Sequence, residues 1–149
     1  MTATGHAVLG AVIAAKIGNP YLAIPIALTS HIAADLFPHW DTGTNHKKKS
    51  KMRFFIESGI DVLVGFIIAY FVLQFLSPAT DLTYAFSIII ASQFFDWATV
   101  PYLFLHMHKA PFSWIYNFQK KFDSRLDKPW GIINQIAILS LIVMLAKVL

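Results

Sequence analysis

The sequence predicts an all-α protein, an integral membrane bundle of about five helices, and three observations carry that expectation. The chain is 56% hydrophobic and only 13% charged, against about 25% charged residues in an ordinary soluble domain. Its apolar residues gather into five segments, the last three of which reach the roughly 20 residues a spanning helix requires. Ten of the twelve lysines and arginines lie in two hydrophilic loops between those segments. With 149 residues the chain has room for one domain, read as a single transmembrane helical domain over 1–149.

The first segment, 4–17, has no basic residue ahead of it and carries a histidine inside it, so it reads as a retained helix rather than a cleaved signal peptide. "GNP" breaks the chain and places Pro20 where a helix can begin. The second segment, 21–37, is also short, and the two together read as a thin or partly re-entrant hairpin. Segments 54–76, 82–105 and 130–149 are long enough to span. Between the last two, Phe112, Ile115, Phe118, Phe122 and Leu126 recur at helical spacing among Lys120, Lys121 and Arg125. That pattern suits an amphipathic helix in the interface, or a loop packed on the domain.

Lys47, Lys48, Lys49, Lys51 and Arg53 occupy the first basic loop, and Lys109, Lys120, Lys121, Arg125 and Lys128 the second. Five spans put both loops on one side, and the positive-inside rule makes that side cytoplasmic. The expectation is therefore a bacterial or archaeal cytoplasmic membrane with the N-terminus inside. Lys16 and Lys147 fall at the far ends of their helices, where they can snorkel outward. Lys47, Lys48, Lys49 and Arg53 chiefly mark topology, and are also candidates to hold anionic head groups or phosphates. The pI of about 9.4 thus needs no nucleic acid to explain it.

Six ionisable residues lie inside the apolar segments: His6, His31, Asp35, Glu57, Asp61 and Asp96. An ionised side chain at the bilayer centre costs about 2.5 kcal/mol or more. Counted along their helices at about 1.5 Å per residue, all six fall within roughly 13 Å of the cytoplasmic face. His31 and Asp35 are four apart, as are Glu57 and Asp61, so each pair shares a helix face. Four carboxylates and two histidines with no lysine or arginine among them call for a cation. Imidazole and carboxylate ligands suit zinc, manganese or iron, as one ion or two, and the absence of cysteine removes thiolate ligands. His39 and Asp41 continue the His31 and Asp35 series. Gln93 and Asn134, with Gln135, fall in the same layer as hydrogen-bond partners for the ligands. Each residue taken alone has a plainer reading: Asp35 and Glu57 near helix ends would also suit head groups, and His39 and Asp41 would also suit solvent.

"GHAVLGAV" at Gly5 is similar to "GIDVLVGF" at Gly59, and "SHIAADLFP" at Ser30 to "SQFFDWATVP" at Ser92. One reading is a duplicated helical hairpin with a fifth helix added, and chance likeness among apolar segments is the other.

"TATGHAVLG" and "HIAADLFPHWD" resemble the YdjM-like bacterial inner-membrane proteins, described as metal-dependent hydrolases. The resemblance covers roughly the first sixty residues, and the family's His-Arg-Gly and Thr-His-Ser pattern is missing. "HIAADLFPH" is also similar to the His-x-x-x-Asp stretch of zinc-dependent phospholipase C and its related nucleases. The resemblance implies that His6, His31 and Asp35 are metal ligands and that the reaction is hydrolytic.

The functional expectation is a membrane-embedded metal-dependent hydrolase working near the cytoplasmic head-group level on a lipid phosphoester, with Glu57 or Asp41 as general base. Membrane lipids are the expected partners, and a second copy of the chain is a further candidate. Two alternatives remain open at this point. A divalent-metal or proton transporter would need a polar route through the outer halves of the helices. A non-enzymatic membrane scaffold would use the polar layer to pair with a partner.

Overall fold

A computed structural model describes residues 1–45 and 48–149. It is all-helical, with seven helices and no strand among the described residues. They are α1 (Ala3–Lys16), α2 (Pro20–Asp35), α3 (Lys51–Leu76), α4 (Leu82–Ser92), α5 (Phe94–Phe104), α6 (Phe112–Gln119) and α7 (Trp130–Val148). Four of the five apolar segments each form one helix with closely matching ends. Segment 82–105 differs, because it breaks at Gln93 into α4 and α5. At that break the carbonyl of Ser92 accepts a hydrogen bond from His31 Nδ1 at 2.8 Å. α2, the element matched to this stretch by the apparent repeat, runs through His31 without a break. The amphipathic stretch is helical over its first half only. Beyond Gln119 it turns, and its backbone pairs with 35–39 instead.

α1 is the central element and packs against α2, α3, α4 and α7. Its composition explains why. Ala7, Ala11 and Ala14 are buried together with Ala23, Ala27, Ala69 and Ala85, and small side chains let helix backbones approach closely. Gly10 marks the tightest approach: a Cβ there would lie 2.8 Å from the backbone of Ile89. Gly65 of α3 does the same, with 3.0 Å to the Cα of Thr4. Leu73 and Ile88 close the far end of this core.

The outer surface has the opposite character. α3 and α7 are long and apolar enough to cross a membrane. Leu63, Ile67 and Phe71 of α3 and Ile136, Leu141 and Met144 of α7 are all exposed. α1 and α2, at 14 and 16 residues, are short of the roughly 20 that a full span takes. The polar side chains gather at the other end of the molecule from Leu73, where α1 begins and α2 stops.

Candidate metal centre

His6 sits in the first turn of α1, and three neighbours fix that turn. Thr2 caps it, its hydroxyl accepting from Gly5 N at 3.1 Å. Gln135 of α7 accepts from Thr2 N at 3.2 Å and donates to the Thr2 hydroxyl at 2.7 Å. Asp61 of α3 takes the next free amides, Ala3 N at 2.8 Å and Thr4 N at 3.2 Å, and the Thr4 hydroxyl at 2.7 Å. The first turn is thereby pinned against α3 and α7, with His6 fully buried beneath it.

α2 supplies His31 and Asp35 from its last turns, and Pro38 stands where the chain leaves the helix. The rings of His6 and His31 stack at 3.7 Å between centroids, 7° from parallel. Both face the Asp35 carboxylate: His6 Nε2 lies 3.2 Å from Oδ1 and His31 Nε2 3.4 Å from Oδ2. Asp96, in the first turn of α5, closes the group from the other side, 3.7 Å from His31 Nε2 and 4.0 Å from His6 Nε2. Gln119 at the end of α6 donates to Asp96 at 3.0 Å and approaches His31 Nε2 at 3.3 Å.

The tautomers follow from these partners. His31 gives its Nδ1 proton to the Ser92 carbonyl, so the neutral ring turns an Nε2 lone pair toward two carboxylates. His39 is built the same way: Nδ1 donates to the Phe37 carbonyl at 2.7 Å. Its Nε2 faces Asp123 Oδ1 at 3.4 Å and Asp35 Oδ1 at 3.9 Å. A lone pair aimed at a carboxylate is repulsive unless positive charge lies between them. Metal-binding histidines are oriented in this way, one nitrogen held by a carbonyl and the other left for the ion. His6 is the sharper case, because neither of its buried ring nitrogens has a hydrogen-bond partner, at a cost of about 1–3 kcal/mol for each unsatisfied group. The amino group of Met1 supplies some positive charge. It donates to Asp35 and lies 2.6 Å from His39 Nε2.

Two sets of side chains are therefore arranged so that they can hold a metal ion. In the first, ligand atoms of His6, His31 and Asp96 lie within 4.8 Å of one another, and in the second those of His39, Asp41 and Asp123 do the same. Asp35 stands between the sets. Arg125 braces the second: Nε binds Asp123 Oδ2 at 2.6 Å, Nη2 lies 3.4 Å from Asp41, and Nη1 donates to the Gly43 carbonyl at 2.7 Å. Burial alone would raise the Asp123 carboxyl, but the His39 ring and the Arg125 charge outweigh it and hold it below the usual carboxylate range. Burial would likewise lower the Arg125 guanidinium, yet Asp41 and Asp123 raise it.

The other residues singled out by the sequence lie elsewhere. Asp61 caps α1, as above, and so positions His6 without joining either set. Glu57 is turned away, bound by Lys49 at 2.6 Å and Arg53 at 2.7 Å, which leaves Asp41 as the candidate base at the centre. Lys49 and Arg53 are thereby engaged, Lys48 is exposed, and Lys47 lies outside the described residues. The basic side chains that do line the central cavity, Lys120 and Arg125, come from the second loop. Gln93 is fully buried, with its Oε1 unpartnered. Asn134 donates to the Pro38 carbonyl and so steadies the turn that carries His39.

Sequence reasoning missed Asp123, Gln119, Arg125 as a brace, and the Ser92 carbonyl. The one available signal for Asp123 was an acid beside Arg125 on the same side as the histidine–aspartate stretch. A cavity of about 540 Å³ opens beside the centre. Its lining combines apolar side chains, among them Phe54, Val62, Trp97, Val100 and Leu103, with the polar Asp41, Asp96, Asp123, Gln119, Lys120 and Arg125. No protein-family model, curated protein or solved structure matches this chain.

Proposed function

We propose that this protein is a membrane-embedded, metal-dependent hydrolase that cleaves a lipid phosphoester near the cytoplasmic head-group level, with its N-terminus inside. The observation that carries the reading is the wiring of the buried histidines. His31 and His39 each spend Nδ1 on a backbone carbonyl and turn Nε2 toward carboxylates, while neither ring nitrogen of His6 has a hydrogen-bond partner. A divalent cation, whether zinc, manganese or iron, fits that donor set. The exposed apolar faces of α3 and α7 support placement in lipid, since a soluble surface seldom exposes so large an apolar area. The likeness of "TATGHAVLG" and "HIAADLFPHWD" to the YdjM-like hydrolases points the same way.

Such a cation lowers the pKa of a water toward neutrality. The chain's own residues supply the rest. Asp41, held by Arg125 and the Thr44 hydroxyl, would serve as the proton acceptor beside the centre. Gln119 orients Asp96. Lys120, in the cavity lining, offers charge to a phosphate, while Phe54, Trp97 and Val100 offer a surface for acyl chains. Transport fits less well. Beyond His6, α1 packs into an apolar core with Ala7, Ala11, Ala14, Ile88 and Leu73. A scaffold would leave the unpartnered ring nitrogens of His6 unexplained.

The test uses protein purified in detergent without chelator. Elemental analysis is expected to find a divalent transition metal, and mixed micelles of phosphatidic acid or phosphatidylglycerol are expected to release phosphate or head group in a chelator-sensitive way. Protein that stays metal-free after incubation with zinc, manganese and iron would end the proposal.

A further inference from the structure

The second set of side chains is more than a support for the first. We infer that the centre holds two divalent cations, one on His6, His31 and Asp96 and one on His39 and Asp123, with the Asp35 carboxylate bridging them. This rests on the metal-centre reading above and adds to it a second ion with Asp123 as its ligand.

The backbone brings the second set together. Residues 123–126 lie outside every helix, yet they are zipped along the end of α2. Ser124 N donates to the Asp35 carbonyl at 2.9 Å, His39 N to the Ser124 carbonyl at 3.1 Å, and Leu126 N to the His39 carbonyl at 2.7 Å. This pairing brings Asp123 against a histidine far away in sequence. The residue at the centre of the pairing, His39, is fully buried, and Asp123 is 12% exposed.

Within the pair each side chain has one end fixed by the protein and turns its other ligand atom inward. His39 Nδ1 is held by the Phe37 carbonyl. Asp123 Oδ2 is held by Arg125, while its buried Oδ1 has no hydrogen-bond partner. His39 Nε2 and Asp123 Oδ1 face each other at 3.4 Å, with the Met1 amino group 2.6 Å from the histidine nitrogen. Rear atoms held by the protein and front atoms turned toward one another are the pattern of ligands oriented by their outer partners. Arg125 compensates charge on the far side only, and Met1 reaches Asp35 and His39 but not the free Asp123 oxygen.

Asp35 joins the two halves because its carboxylate reaches histidines of both. Oδ2 faces His31 at 3.4 Å, and Oδ1 lies 3.2 Å from His6 and 3.9 Å from His39. Its side chain is nearly buried, so it has no solvent to neutralise it. Two cations spanned by one carboxylate stand roughly 3.5–4 Å apart in two-metal hydrolytic sites. Such a pair suits a phosphoester, whose attacking and leaving oxygens both gain charge as the bond breaks.

Manganese(II) alone is the probe, because two bridged ions couple magnetically and report their proximity without any activity. Detergent-purified protein is stripped, titrated with manganese, and followed by elemental analysis and electron paramagnetic resonance. The expected result is two ions per chain with a coupled multiline spectrum. Asp123→Asn is expected to bind one ion with an uncoupled six-line spectrum, and His31→Ala to bind one ion at the other set. Circular dichroism checks that each variant keeps its helix content. Wild-type protein that saturates at one ion with an uncoupled spectrum would overturn the second ion while leaving the hydrolase reading in place. Wild-type protein that binds no manganese, and no zinc or iron in its place, would overturn both. The wild-type stoichiometry and spectrum decide the matter even where a variant misfolds.

Discussion

Two residue pairs carry the same signature in the sequence and meet opposite fates. His31 and Asp35 stand four apart near one end of α2, and Glu57 and Asp61 stand four apart near the start of α3. The first pair converges on His6 and Asp96. The second pair divides: Glu57 is drawn to Lys49 and Arg53, and Asp61 is drawn to the open amides of α1. Spacing places two side chains on one face, but it says nothing of what that face meets. A carboxylate near a helix start competes among cations, unpaired amides and metal, and the nearest strong donor wins. Glu57 has Arg53 one turn away on its own helix, while among the described residues Asp35 meets the amino group of Met1 and no lysine or arginine.

The largest expected effect lies in the first pair. Removing a group that merely orients a metal ligand weakens binding about 10–100-fold, so His31→Ala is expected to weaken it by about 100-fold or more. Equilibrium dialysis with elemental analysis measures this. An unchanged affinity would make the two pairs equivalent and erase the contrast between them. Chelation gives a second reading of the same contrast. A cation present at a hundred times its dissociation constant stabilises the folded chain by about 2.7 kcal/mol. EDTA should therefore lower the thermal midpoint of the parent protein by more than that of His31→Ala, as followed by differential scanning fluorimetry in detergent.

Much of this centre is legible in the amino-acid sequence. His6, His31, Asp35 and Asp96 can be found by depth, because residue count along a helix sets height, and charges stranded at one height need a common partner. The helices are legible for the same reason, apart from the break at Gln93. That break lies in an unbroken apolar run with no glycine or proline beside it, so local sequence carries no mark of it. Asp123 and Gln119 escape because they depend on tertiary contact. Their segment reads as one amphipathic helix by periodicity, yet past Gln119 the pairing with 35–39 prevails over local preference. Asp61 is the opposite lesson. Its depth is right and its role is different, since the start of a helix offers amides that hydropathy does not register.

A middle-sized effect follows for Asp61. Its carboxylate accepts from two amides and a hydroxyl at the start of α1, and hydrogen bonds to a charged group contribute about 1.5–3 kcal/mol. Asp61→Ala is expected to lower stability by about 2 kcal/mol, read as a drop of about 5 °C in thermal midpoint. The metal count at saturation is expected to stay at the parent value, with affinity reduced less than about tenfold through the loosened seat of His6. A variant that keeps its thermal midpoint and loses metal would reassign Asp61 from capping to coordination.

The smallest effect is reserved for Glu57, and its smallness is what the contrast requires. Both of its oxygens are taken by basic side chains, and Arg53 is largely exposed, so water can replace either partner. Exposed ion pairs of this kind contribute little, because solvent screens the attraction and the long side chains lose freedom on pairing. Glu57→Gln should therefore leave metal affinity, metal count and lipid hydrolysis within about twofold of the parent, a shift no larger than ordinary surface changes produce. The same substitution frees Lys49 and Arg53 to meet anionic lipid, since a lysine or arginine near an anionic surface attracts it by about 1 kcal/mol. Binding to phosphatidylglycerol vesicles, compared with neutral ones, should rise in the variant as hydrolysis stays level. A large fall in hydrolysis at unchanged metal content would return Glu57 to the reaction as its base, and would mean that the α3 pair swings inward when lipid is bound.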